Sequence, residues 1–138
     1  MSKQKMMKLS TMASISEAEA ITDTSYSTLR RLVNDGDLPQ FTKIGRSAYL
    51  EVKPIYEFIS KEAGRHVEIG DSLKSSKSLE KLFNASSTFI WQKFQKNKVM
   101  KEKAVYLRSR PRWLLSDVYA NKELSAYLEV VKSKEEVA

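Results

Sequence analysis

At 138 residues and 41% hydrophobic content, the chain is long enough for one domain or two very small ones, and apolar enough to fold. The absence of cysteine excludes disulfides and thiolate zinc sites and fits a reducing, cytoplasmic setting. A net charge of +7 favours a polyanionic partner, and no apolar run approaches the ~20 residues of a membrane span.

Residues 1–13 hold Lys3, Lys5 and Lys8 without a continuous apolar stretch, so they read as a mobile basic arm, with an arm lying on DNA phosphates as the alternative, and not as a secretory signal. Residues 14–63 then read as a first folded unit. Ile15, Ala18 and Ile21 recur at intervals of three and share one helix face. Ser16 followed by Glu19 has capping-box spacing. Thr22-Asp23-Thr24 is a short turn of side chains that bond to the local backbone. Ser25 is placed to cap a second helix with Leu29, Leu32 and Val33 on its apolar face. Gly36 stands where a left-handed residue closes a helix, and Pro39 keeps it closed. Two short helices so tightly joined form a helix-turn-helix, whose second helix enters the DNA major groove. Phe41 to Leu50 has apolar runs on either side of Gly45-Arg46-Ser47, the pattern of a small hairpin with a basic tip. Pro54, Ile55, Phe58 and Ile59 predict a third helix with proline in its first turn.

The ordered set Ile15-Ser-Glu, Ser25-Tyr-Ser-Thr-Leu-Arg30, Gly36-Asp-Leu-Pro39, Gly45-Arg-Ser and Tyr49-Leu50 resembles the MerR-like superfamily, in particular its AlpA and phage-excisionase branch. The resemblance covers roughly the first half of the chain. It implies a winged helix-turn-helix that works on the DNA of a phage, plasmid or genomic island, as a transcription regulator or as an excision factor that bends DNA.

Residues 64–77 are rich in Gly, Ser and Lys and read as a linker. Residues 78–138 read as a second, basic copy. A shift of 61 positions places Leu79 on Ala18, Leu82 on Ile21, Ala85-Ser86 on Thr24-Ser25, Ile90 on Leu29 and Phe94 on Val33. Asn97 falls on Gly36, as a left-handed stop, and Val99 on Leu38. Ala104 to Leu115 repeats strand, basic tip and strand, with Trp113-Leu114 matched to Tyr49-Leu50 after two or three extra residues. Ser116-Asp117 are expected to cap a final helix. The expected fold class is mainly α with small β-hairpin wings, in two tandem winged helix-turn-helix units. Charge divides unevenly between the copies: residues 14–65 hold seven basic and eight acidic groups, whereas residues 78–115 hold nine basic groups against Glu80 and Glu102.

The residues expected to contact DNA follow from the positions left exposed between core positions. In the first copy these are Ser25, Tyr26, Ser27, Thr28, Arg30 and Arg31, with arginine the commonest base reader because its fork matches guanine. In the second they are Ser87, Thr88, Gln92, Lys93 and Lys96, the lysines on phosphates. Trp91 aligns with Arg30 and is left unassigned, since a tryptophan is more often partly buried core; Phe83, Phe89 and Phe94 are expected in the core. The wing positions are Lys43, Arg46 and Ser47, and Arg108, Arg110 and Arg112 around Pro111, suited to phosphates or a narrow minor groove.

Nothing points to catalysis. His66 is the only histidine and lies in a polar stretch, there is no Gly-rich phosphate loop, and carboxylates lack metal-ligand spacing, so no cofactor or metal is expected. Leu124, Tyr127, Leu128 and Val131 form a stripe on the last helix. It closes the second core or pairs in a homodimer; core closure is favoured, because one short helix makes a poor coiled coil. The expected activity is sequence-specific binding to double-stranded DNA. Replication-origin or partition-site binding is one alternative, and a protein-interaction module with a vestigial helix-turn-helix, favoured by the acidic bias of the first copy, is another.

Overall fold

The computed structural model describes residues 11–137, with side chains through Lys134. The proposed basic contacts of Lys3, Lys5 and Lys8 lie outside the described residues. Helices dominate, with two small three-stranded antiparallel sheets. The chain divides between Gly70 and Asp71 into two compact units.

The first unit runs β1 (Met12–Ser14), α1 (Ile15–Thr22), α2 (Tyr26–Asn34), β2 (Thr42–Ile44), β3 (Ser47–Glu51) and α3 (Val52–Ala63). The cap of α1 is Ser14, not Ser16. The Ser14 hydroxyl accepts the Glu17 amide, and the Glu17 carboxylate accepts the Ser14 amide, each at 3.1 Å, a reciprocal box two residues earlier than expected. Asp23 adopts the left-handed conformation (φ 52°) at the turn. Thr22 and Thr24 are buried there without cost, because Thr22 donates back to the Ala18 carbonyl at 2.8 Å and the two hydroxyls bond at 2.7 Å. Gly36 (φ 83°) closes α2: its amide reaches Val33 O and the Asp37 amide reaches Leu32 O, the paired bonds of a Schellman stop.

Gly45-Arg46 forms the two-residue turn between β2 and β3, with Ile44 opposite Ser47. Gly45 (φ 65°) supplies the positive dihedral that such a turn requires. The hairpin is not free-standing. Met12–Ser14, assigned to the arm and the helix start on sequence, pairs with β3 as a third strand, and the Thr11 carbonyl accepts the Val52 amide at 2.9 Å where α3 begins. Leu29, Leu32, Leu50, Ile55 and Ile59 are buried together with Ala18.

The second unit repeats this order as β4 (Leu73–Ser75), α4 (Ser76–Phe83), α5 (Ser87–Ile90), a π-helical turn (Trp91–Lys96), α6 (Lys98–Lys103), β5 (Val105–Leu107), β6 (Arg110–Leu114), α7 (Leu115–Ala120) and α8 (Lys122–Val137). Its sheet order, β4-β6-β5, mirrors β1-β3-β2. The offset of 61 places Ser75 on Ser14 and Ser86 on Ser25 as helix caps, and Asn84 (φ 49°) on Asp23 as the left-handed turn residue. Residues 73–77 are therefore strand and helix and not linker, and Val67 is buried as well, its amide held by Ser60 Oγ at 2.9 Å.

Four further expectations are corrected in this unit. Asn97 is extended (φ −67°, ψ 121°) and is no left-handed stop. It starts α6, accepting the Val99 and Met100 amides on its side-chain oxygen. Pro111 lies in β6 and not in a loop, opposite Tyr106. It is tolerated in a central strand because β4 pairs only from Arg112 onward, so no partner awaits the missing amide. The hairpin turn is Arg108-Ser109, so the offset there is 63 and Trp113 takes the place of Leu50, not Tyr49. Ser116 and Asp117 do not cap α7. The cap is Asp71, whose carboxylate accepts the Ser116 amide at 3.1 Å and the Ser116 hydroxyl, while Ser72 O accepts the Leu115 amide.

The core of this unit gathers Leu79, Phe83, Ile90, Phe94, Met100, Trp113, Val118 and Leu124. Trp113 donates its indole N–H to Met100 O at 2.7 Å and meets Phe94 edge-on at 5.2 Å. Asn121 breaks the expected final helix into α7 and α8 and caps α8 through the Leu124 amide. Leu124 is buried and Leu128 packs on the same core, while Tyr127 meets Phe89 edge-on at 5.1 Å.

Candidate nucleic-acid interface

In the first unit α2 buries Leu29, Leu32 and Val33 and leaves Ser25, Tyr26, Ser27, Arg30 and Arg31 exposed, with Thr28 half-buried. Ser25 Oγ accepts the Thr28 amide at 3.4 Å and bonds the hydroxyls of Ser27 (3.0 Å) and Thr28 (3.3 Å), which makes a cluster of hydroxyls over the first turn. The Arg30 guanidinium lies 5.9 Å from the Tyr26 ring centroid, one helical turn away, and Tyr26 lies 6.1 Å from Phe41 on the approach to the hairpin. That stack holds Arg30 against an aromatic face while its donors stay exposed. Lys43, Arg46 and Ser47 are exposed on the hairpin, Arg46 in its turn.

In the second unit Ser87, Thr88, Gln92 and Lys96 are exposed as expected, and so are Arg108 in the hairpin turn and Arg110 beside it. Two residues expected to be exposed lie otherwise. Lys93 is committed within the unit: its ammonium pairs with Glu123 at 2.5 Å and lies within 6 Å of the Phe89 and Tyr127 rings. The hydrogen bond that Lys93 donates to Glu123 holds its pKa above the ordinary lysine value. Arg112 is buried at 8% exposure, because β4 covers it opposite Ser75, and its guanidinium donates to Arg110 O at 3.4 Å. The two lie outside the exposed basic set.

Sequence reasoning passed over a groove of about 380 Å³ lined by Ser76, Glu80, Ser87, Thr88, Trp91 and Gln95. Trp91 is half exposed, and the Lys96 ammonium lies 5.9 Å over its ring. The signal was the alignment of Trp91 with Arg30, an outward position. Among the described residues no group of three or more His, Asp or Glu side chains is placed to hold a metal, and no helix is long and apolar enough to cross a membrane. No family model, curated protein or solved structure matches the chain.

Proposed function

We propose that the chain is a sequence-specific double-stranded DNA-binding protein of a mobile genetic element, built from two tandem winged helix-turn-helix units of MerR-like type. It acts as a transcription regulator or as an excisionase-like architectural factor. The observation that carries this reading is the repeated order of strand, helix, tight turn, helix, hairpin and helix in both units, each with a serine-capped second helix and an arginine in the hairpin turn. In each unit the second helix lies in a major groove and the hairpin arginine, Arg46 or Arg108, reaches backbone or minor groove. Arg30 and Arg31 read bases, and Lys96, Arg108 and Arg110 supply salt-sensitive phosphate affinity. Two linked readers in one chain occupy an asymmetric or direct-repeat site with affinity raised by effective concentration.

The test is capture of fragmented DNA from the source genome and its resident elements at physiological salt, followed by sequencing. Enrichment at one or a few clustered sites is expected, and the neighbour names the role: promoter, attachment site or origin. An Arg30→Ala/Arg31→Ala variant should lose that enrichment. Uniform capture without peaks would overturn sequence reading. No capture would favour a protein-interaction module, the reading that the acidic bias of residues 14–65 supports.

A further inference from the structure

The π-helical turn has a geometric effect that bears on Trp91. In an α-helix, residues five apart point about 140° away from each other. A π-turn adds a residue to the turn, so positions i and i+5 become neighbours along the axis. Trp91 and Lys96 are five apart and bracket this turn, and the ammonium sits over the indole at 5.9 Å. Gln95 lines the same groove together with Ser76, Glu80, Ser87 and Thr88. The turn thus assembles an aromatic ring, a cation over one of its faces, and a set of hydrogen-bonding groups beside it.

We propose that this groove binds one unpaired nucleobase, stacked on Trp91, with the adjoining phosphate on Lys96. The inference rests on the nucleic-acid reading above. An aromatic side chain stacks any exposed base, here on the face of Trp91 opposite Lys96, and a cation next to the ring suits the strand that carries the base. Glu80 decides which part of a nucleotide enters: its carboxylate repels a phosphate but accepts an exocyclic amino group, as carboxylates do from cytosine N4. The phosphate therefore stays outside, toward Lys96, and bases with an amino group are preferred to thymine. The basic stretch 78–115 supplies the attraction that brings a strand to the groove. In the first unit the equivalent position is Arg30, so the second unit adds to its duplex contacts a site for a base held out of the stack, which the first unit lacks.

The test uses tryptophan emission of the full chain. The protein has two tryptophans, and Trp113 is buried, so quenching by added nucleic acid reports on Trp91. Probes are labelled 12-mers of dC, dA and dT, a 12-mer of oligo-C RNA, a fully paired duplex, and the same duplex with one bulged cytosine; anisotropy records binding independently. Quenching is expected with dC, dA, the RNA and the bulged duplex, more weakly with dT, and not with the paired duplex. Trp91→Ala should weaken binding of the bulged duplex roughly tenfold or more while leaving the paired duplex unchanged. Trp91→Phe should retain most of that affinity, and Glu80→Gln should erase the preference for dC over dT. Equal quenching by oligo-C RNA and dC would assign the site to unpaired strands of either sugar; quenching by the RNA alone would move its target from DNA to RNA, with the stacking intact. Anisotropy showing binding without quenching, or a Trp91→Ala variant with full affinity for the bulged duplex, would overturn the stacking site and leave duplex binding standing. No anisotropy change with any probe would overturn both.

Discussion

Ser109 sits in a hairpin turn at φ 72°, next to Arg108 at φ 50°, and Arg108 stands where the matching turn of the first unit has Gly45. A side chain at positive φ stores strain that glycine does not. Ser109→Gly is expected to raise the stability of the chain by about 0.5–1 kcal/mol, read from urea unfolding. A loss of stability would show that the turn is not strained. Glu17 carries a second residue-scale prediction. Hydrogen bonds from the Ser14 amide, and then the Ser14 hydroxyl, hold its carboxyl below its ordinary value of 4.5. A carboxyl with a lower pKa folded than unfolded contributes stability above its unfolded value and loses it as pH falls through the folded one. The wild-type chain should therefore destabilise slightly below about pH 4.5 relative to Glu17→Gln, and the exposed position keeps the effect small. Superimposable urea midpoints for the two chains from about pH 6 to pH 3 would contradict it.

At the scale of elements, α7 depends on a cap supplied from outside its own sequence. Asp71 holds the Ser116 amide and hydroxyl, and 45 residues separate the partners. Asp71→Ala should cost about 1 kcal/mol, the usual worth of a helix cap, and Ser116→Ala, which keeps the amide bond and loses the hydroxyl one, should cost less. Equal denaturation midpoints for Asp71→Ala and wild type would remove Asp71 from that role. The same separation explains what sequence could and could not show. Ser25, Gly36 and Gly45 act through neighbours within a few residues, so the second helix, its stop and the first hairpin were legible. Met12–Ser14 and Leu73–Ser75 are three-residue strands paired with partners some forty positions away, too short to display alternation. Asn97 was misplaced because the π-turn and two added residues carry the chain onward into α6. Arg112 was placed at an exposed tip because the strand that covers it was taken for linker. Trp91 and Lys96 were not joined because α-helical spacing separates them.

For the whole molecule, the two units divide the electrostatics unequally, and that has a measurable signature. Lys96, Arg108 and Arg110 are exposed in the basic unit, whereas Lys93 is neutralised by Glu123 and Arg112 is buried. On the proposed DNA reading, Lys96→Ala, Arg108→Ala and Arg110→Ala should each lower the salt slope of binding by about 1, uniformly across sequences. Lys93→Ala should leave the slope unchanged, and Arg30→Ala should instead relax preference at particular bases. Affinity measured across a salt series on two unrelated duplexes separates these outcomes, and an unchanged slope for all three exposed variants would count against phosphate contacts by this unit.

The offset between the units changes from 61 at the helix caps to 63 at the hairpins; one of the two extra residues falls in the π-helical turn and the other between that turn and the hairpin. One copy crosses that interval with a left-handed glycine and a proline, the other with an extra helix. Neither hairpin shifts, because each takes its register from its own two-residue turn and from the strand that precedes the first helix. The interval is thus a natural splice point. A designer could exchange residues 35–41 for 97–104, or insert a short reporter there, and leave caps, sheet and hairpin in place.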